Sequence, residues 1–160
     1  LIEQPLHEED WYGHVMLSEV CATPICLDES ILSVDSADSA LRFGATTIIN
    51  IKPGRVGGYL TAREIHDLCL DRGVPVWCGG MLETGVGRAA NLALAGLPGF
   101  SVIGDTSASS RYYEVDVTEP FVLDDGRLDV PTGPGIGVDP LPDVLAHLTV
   151  WSSEIRLDKG

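Results

Sequence analysis

Two carboxylates and one lysine each end an apolar segment of the chain. These residues are Glu3, Asp28 and Lys52, and the steps between them are 25 and 24 residues. Such a step is about the length of one strand, one helix and two short loops. A βα repeat would therefore carry all three side chains to the same end of successive parallel strands. Carboxylate oxygens beside an amine suit a hard divalent cation next to a group that moves protons.

The same period continues beyond the lysine. Segments 74–80 and 100–105 predict two further strands, about one βα unit apart. Apolar residues at helical spacing predict four helices, over residues 7–20, 37–43, 61–72 and 87–95. In the third of these, Thr61 and Glu64 predict a capping box, and Gly73 is placed to end the helix.

Five strand patterns that alternate with helix patterns predict an α/β fold with a parallel sheet and helices outside it. Polar residues at strand ends mark the catalytic face of a TIM barrel, so five of its eight units are the natural interpretation. We assign residues 1–115 to this partial (β/α) barrel. A whole barrel needs roughly 250 residues, and the chain has 160.

The pattern changes after about Val115, and residues 116–160 form a separate C-terminal segment in our assignment. Asp124-Asp125-Gly126-Arg127 predicts a hairpin turn between two short strands. Residues 141–150 predict a last short helix. A barrel seldom ends in this way, so we expect the segment to pack toward another domain, with an ordinary surface tail as the alternative.

Composition limits the class of protein. The net charge of −14 disfavours nucleic acid and anionic membranes as partners. No apolar run approaches the length of a membrane span. The four cysteines lack a Cys-x-x-Cys spacing, which indicates reduced core residues and no disulfide or zinc site. We therefore expect a cytoplasmic protein that binds neither nucleic acid nor a membrane.

Several motifs, in order along the chain, resemble the enolase superfamily. Within it they are most similar to the muconate-lactonizing subgroup, and there to the o-succinylbenzoate synthases and N-succinylamino acid racemases. The motifs are Ile2-Glu3-Gln4-Pro5, Leu27-Asp28-Glu29-Ser30, Ile49-Asn50-Ile51-Lys52-Pro53-Gly54-Arg55-Val56-Gly57-Gly58, the run from Pro75 to Ala89, and Gly104-Asp105-Thr106-Ser107-Ala108-Ser109. The resemblance covers Leu1 to about Val138.

The resemblance implies a TIM-like (β/α)7β barrel under an α+β capping domain. This chain would be its C-terminal portion, from about strand 4 to strand 8, with residues 116–160 returning to the capping domain. A further ligand aspartate, a Lys-x-Lys motif and the capping domain would precede Leu1. The implied partners are thus the N-terminal remainder of the enzyme, a small carboxylate substrate and, when the enzyme is complete, further copies in a homo-oligomer.

The resemblance also implies roles for single residues. Glu3 and Asp28 match ligands of Mg²⁺ (or Mn²⁺), and Lys52 matches an acid/base lysine. Glu29 matches a carboxylate that lies behind the metal ligands.

The turn after the predicted strand 74–80 has an implied role as well. Gly80 and Met81 match a stretch whose backbone contacts the substrate. Glu83 and Asp105 are polar residues at predicted strand ends, and a structural hydrogen bond explains them as well as a catalytic role does.

The implied reaction removes a proton next to a carboxylate and forms an enediolate, with Mg²⁺ and a lysine base. One version is the syn dehydration of o-succinylbenzoate synthase in menaquinone biosynthesis, a carbon–oxygen lyase reaction. There Lys52 stabilises the enediolate while another lysine moves the proton. The alternative is racemisation of N-succinylamino acids, with one lysine on each face. We favour the synthase as the commoner role and expect these residues to be inactive alone.

Two other interpretations compete. Gly85-Val86-Gly87-Arg88-Ala89-Ala90, with Asp105 some 20 residues on, loosely matches a dinucleotide-binding fingerprint and an oxidoreductase. It ends in alanine and leaves the Glu/Asp/Lys series unexplained. The third interpretation is a binding or assembly fragment without catalysis. Without the resemblance, strand-end carboxylates are most often helix caps or surface ion pairs.

Overall fold

The computed structural model describes residues 1–155 as a layer of parallel strands covered by helices. The strands are β1 (Ile2–Glu3), β2 (Ile25–Leu27), β3 (Ile48–Ile51) and β4 (Val76–Cys78). The helices are α1 (Trp11–Val20), α2 (Val34–Phe43), α3 (Pro53–Val56), α4 (Tyr59–Asp71), α5 (Gly85–Ala95) and α6 (Pro142–Leu148). One 3₁₀ turn covers Ser109–Arg111.

The sheet runs in the order β1-β2-β3-β4, and every neighbouring pair is parallel. Each strand returns to the sheet through a helix, as parallel pairing requires. The predicted α/β fold with a parallel sheet is confirmed. A dinucleotide-binding fold binds its ligand where the strand order of the sheet reverses. The described sheet follows the order of the chain without such a reversal, which counts against the dinucleotide-binding alternative.

The predicted fifth strand is not a regular strand. Phe100 forms a single parallel bridge with Val76, and the Val102 N–H donates to the Val76 carbonyl at 3.3 Å. Just before this bridge the chain turns at Gly99, whose φ of 96° only glycine adopts readily. The segment lies beside β4, but the turn leaves too few residues aligned for a ladder.

Helix α4 begins two residues earlier than predicted. Helix α3 ends at Gly57, and Gly58 is the N-cap of α4, with φ values of 92° and 120°. The predicted capping box of Thr61 and Glu64 is therefore wrong, because both residues lie inside the helix. Gly73 ends α4 as predicted, in the left-handed region at φ 66°.

The two faces of the sheet have different neighbours. One face packs against the helices through buried residues such as Leu27, Ile49 and Val76. Burial of side chains of this size stabilises the fold by about 1.5–3 kcal/mol each. On the opposite face, Cys26 and Trp77 pack together as a smaller buried cluster. Because side chains alternate along a strand, Asn50 and Lys52 share that opposite face.

The C-terminal segment contains the predicted turn and the predicted helix. Asp124 and Arg127 pair their backbone groups at 2.9 Å in both directions, and Asp125 and Gly126 have φ values of 46° and 75°. Two positive φ values are typical of a type I′ hairpin turn. Helix α6 is shorter than predicted, and none of its residues is buried.

Packing of residues 116–160 toward a capping domain stays a prediction, and residues 156–160 lie outside the described part. Among residues 1–155, no helix combines the length and apolarity that a membrane span requires.

Candidate active site

The ends of β1, β2 and β3 place three charged side chains at one edge of the sheet. Glu3 is the last residue of β1, Asp28 follows β2, and Lys52 follows β3. The Lys52 Nζ donates to the Asp28 Oδ2 at 2.8 Å. The open cleft around them has a volume of about 440 Å³ and is lined by Glu3, Gln4, Asp28, Glu29 and Lys52. The parallel strands thus bring the trio together, while the chemical roles stay predictions.

Asp28 is the most enclosed member of the site. Its side chain is 3% exposed and is held from two sides, by Lys52 and by Arg55. Burial raises the pKa of Asp28 above its usual value, and the hydrogen bond and charge of Lys52, together with the Arg55 charge, oppose that rise. Asp28 is thus a buried acidic group paired with two cationic side chains.

Arg55 comes from the short helix that follows β3. Pro53 occupies the first turn of that helix, where its fixed φ suits a helix start. This turn directs the Arg55 side chain toward the Asp28 carboxylate, and its other guanidinium nitrogen lies 3.8 Å from the Glu29 carboxylate. Glu29 thus lies at the edge of the cleft as a neighbour of Arg55. We did not predict a role for Arg55, because its partner is 27 residues away in sequence.

Gln4 ties the end of β1 to the loop after β2. Its Oε1 accepts hydrogen bonds from the Asp28 N–H at 2.9 Å and the Ser30 N–H at 3.2 Å. Its Nε2 donates to the Ser30 Oγ at 2.8 Å. Gln4 has a φ of 37°, which is uncommon for a residue other than glycine. These bonds hold the unusual backbone and fix the position of Asp28 relative to Glu3.

Asn50 contacts the other predicted metal ligand. Its Nδ2 donates to the Glu3 Oε1 at 2.9 Å. Asn50 lies two residues before Lys52 on the same face of β3 and is 1% exposed. Glu3 itself is exposed, and the hydrogen bond from Asn50 holds its side chain in place. The motif contains this asparagine, but the sequence does not indicate its contact.

Gly80 and Met81 do not line the cleft of the charged trio. Their backbone N–H groups donate to carboxylates, Gly80 to Asp105 at 2.6 Å and Met81 to Glu83 at 2.7 Å. Substrate contact through this turn stays a prediction. Glu83 and Asp105 serve the structural hydrogen bonds that we considered as an alternative.

The side-chain oxygen atoms at the cleft are of the chemical type that binds a hard cation. Carboxylate oxygens are the ligands that Mg²⁺ prefers, and Glu3 and Asp28 supply them. Among residues 1–155, no three His, Cys, Asp or Glu side chains come close enough together to hold a metal ion. A metal ion held by Glu3 and Asp28 would therefore need further ligands from other groups, and metal binding here stays a prediction.

Comparison with known proteins identifies the family. Residues 1–144 match the family described as Enolase C-terminal domain-like. The chain belongs to this family and so to the enolase superfamily, as the sequence motifs predicted.

Among its relatives, an N-succinylamino acid racemase from Amycolatopsis is 62% identical over 154 residues, which is 94% of this chain and 42% of the relative. An o-succinylbenzoate synthase from Geobacillus kaustophilus is 56% identical over 87% of this chain and 37% of the relative.

The fold agrees with that of a solved relative. The crystal structure of an enolase superfamily member from Listeria innocua has a TM-score of 0.88 and 46% identity, and the match covers 91% of this chain and 40% of that one. The chain therefore spans about 40% of the length of the relatives it matches.

Proposed function

We propose that the cleft at the carboxyl ends of β1, β2 and β3 is the metal and acid/base part of an o-succinylbenzoate synthase active site. The reaction is a Mg²⁺-dependent syn dehydration of a small carboxylate through an enediolate, in menaquinone biosynthesis. One observation carries the proposal. The Lys52 amine lies 2.8 Å from the Asp28 carboxylate, with Glu3 at the end of the adjacent parallel strand.

Glu3 and Asp28 would hold the metal ion. When bound, Mg²⁺ would offset the negative charge that builds up on the substrate carboxylate after proton removal. Asp28 is prepared for this role because its side chain is fixed from both sides by Lys52 and Arg55. Glu3 is fixed by Asn50, so neither carboxylate depends on solvent to orient it.

Lys52 would be the proton-handling or charge-stabilising group. Its side chain is 14% exposed, so the amine is largely shielded from water yet reaches the open cleft. In a dehydration, Lys52 would stabilise the enediolate of the substrate while a second lysine moves the proton. Since the described cleft holds one lysine and two firmly placed carboxylates, we propose that these 160 residues need further groups before turnover occurs.

Racemisation of N-succinylamino acids is the second candidate. It is favoured by the 62% identity with the Amycolatopsis racemase, while the synthase is favoured by relatives of that name at 56% identity. Both reactions start with removal of the same kind of proton. They differ in whether a leaving group departs or a proton returns to the opposite face.

A chimera separates the two candidates. This chain would replace the matching segment of the Amycolatopsis racemase, and the purified chimera would be assayed with Mg²⁺ for formation of o-succinylbenzoate and for racemisation of an N-succinylamino acid. We expect dehydration to be the faster reaction and to disappear with Glu3→Gln or Asp28→Asn, while Asp139→Asn, an exposed aspartate, leaves it unchanged. A chimera that only racemises would favour the second candidate. A folded chimera with neither activity would contradict both.

A further inference from the structure

The side-chain amide of Asn50 has a hydrogen-bond partner at its nitrogen atom and none at its oxygen atom. The Nδ2 donates to Glu3 at 2.9 Å. The Oδ1 is buried and has no hydrogen-bond partner among the described residues. A buried polar atom without a partner destabilises the folded state, and folded proteins rarely retain one. The amide oxygen of Asn50 is therefore an acceptor in need of a donor.

The surroundings of this oxygen show which donor is near. A β-carbon added to Gly79 would stand 2.5 Å from the Lys52 Cε and closer still to the Asn50 Oδ1. The amide oxygen and the end of the lysine side chain thus border the same small space, which is open only because residue 79 is glycine. Gly79 does not have a positive φ, so the glycine is needed here for room and not for backbone conformation.

In the described structure the Lys52 amine is bonded to Asp28 instead. A divalent cation that binds the Asp28 carboxylate would compete with this amine, because both cations seek the same oxygen atoms. The displaced ammonium would then need a new acceptor within reach of its flexible side chain. The unpaired Oδ1 of Asn50 and the Lys52 Cε both border the space beside Gly79.

We propose that Asn50 is a positioning residue that acts through both ends of its amide. Its nitrogen holds Glu3, and its oxygen receives the Lys52 ammonium when a divalent cation takes the place of that ammonium on Asp28. This inference rests on the proposed function, since it assumes that Asp28 binds the metal ion. Asn50 thus couples arrival of the metal to the position of the lysine. Its amide nitrogen keeps Glu3 in place throughout.

The chain offers an internal control for this idea. It contains two asparagines, Asn50 and Asn91, and both are buried. Unlike Asn50, Asn91 has a partner at both ends of its amide, since it donates to Glu83 at 3.0 Å and accepts from the Tyr59 hydroxyl at 2.8 Å. An asparagine that serves only packing and structure should behave like Asn91.

The first test is NMR of the Amycolatopsis chimera, which supplies the ligands that these residues lack, labelled with ¹³C and ¹⁵N in asparagine and titrated with Mg²⁺. The variants Asn50→Leu and Asn91→Leu identify the two signals. We expect the side-chain carbonyl signal of Asn50 to move as Mg²⁺ binds, while the signals of Asn91 stay fixed. In Lys52→Met, Mg²⁺ should leave the Asn50 carbonyl signal nearly fixed. An Asn50 carbonyl signal that stays fixed in the wild-type chimera at saturating Mg²⁺ would overturn the proposal.

The second test compares Mg²⁺ dissociation constants of the Amycolatopsis chimera and its variants. Asn50→Leu should raise the constant by about 10-fold or more, as loss of a partner behind a metal ligand typically does, and Asn91→Leu should leave it within twofold. Equal Mg²⁺ binding by the wild type and Asn50→Leu would refute the role of Asn50 and leave the proposed metal site intact. Mg²⁺ binding that is absent, or that survives Glu3→Gln unchanged, would defeat the proposed metal site and this inference with it.

Discussion

Replacement of Asp28 by asparagine should destabilise the chain by about 2–3 kcal/mol. The side chain is 3% exposed and accepts from both Lys52 and Arg55, whose side chains are 14% and 19% exposed. Removal of one partner of a buried ion pair costs about 3–5 kcal/mol, because the remaining charge is left uncompensated. We place the loss just below that range, for two reasons. Both cations retain some water, and the neutral amide would no longer bear the desolvation that raises the pKa of Asp28.

Urea unfolding followed by tryptophan fluorescence measures this loss. With a slope of about 2 kcal/mol per molar urea, the midpoint should fall by about 1 M or more. The control is Asp139→Asn, because Asp139 is exposed and surface substitutions change stability by about 0.5 kcal/mol or less. A midpoint for Asp28→Asn that equals that of the control would refute the buried pairing of Asp28 with its two cations.

Three further predictions use other features of the structure. Gly79→Ala should lower the unfolding free energy by about 1–3 kcal/mol, as overpacking does, because the added β-carbon would meet Asn50 and Lys52. Gly54 is the control, since a β-carbon added there would have no atom within 4 Å. Urea unfolding of Gly79→Ala and Gly54→Ala tests this, and equal losses would count against it. Burial raises the pKa of Cys26 to about 11 and of Cys69 and Cys78 to about 12. A thiol-reactive disulfide at pH 8 should thus label mainly the partly exposed Cys21 before urea is added, and rapid reaction of several thiols would contradict the buried assignment. Because the folded pKa of Cys26 lies above its usual value of 9.0, its contribution to stability is full below pH 9 and is lost as the pH rises through about 11.

The residues that end the apolar strands allowed the sequence to predict the parallel sheet and the position of the site. Equal spacing and strand–helix alternation suffice to place Glu3, Asp28 and Lys52 at one edge of a parallel sheet, because these patterns depend on local backbone geometry. The start of α4 was missed because two glycines with positive φ admit a turn that the Thr61 pattern does not reveal.

The contacts between the site residues needed the structure. Arg55 reaches Asp28 over 27 residues of sequence, and Asn50 reaches Glu3 over 47. Such pairs depend on strand register and on the direction of each side chain, and spacing alone encodes neither. The unpaired oxygen of Asn50 depends in turn on the space left by Gly79.

Both candidate reactions share one central claim, that Lys52 promotes removal of the proton next to the substrate carboxylate. Hydrogen exchange at the substrate measures this step most directly. The Amycolatopsis chimera, incubated in D₂O with Mg²⁺ and an N-succinylamino acid, should replace the proton next to the carboxylate by deuterium, as mass spectrometry would show. Lys52→Ala should slow this exchange by about 10²–10⁴-fold, the usual contribution of a general acid or base. Arg63→Ala, which removes an exposed cation, should leave the exchange unchanged. Undiminished exchange in a folded Lys52→Ala chimera would contradict the account.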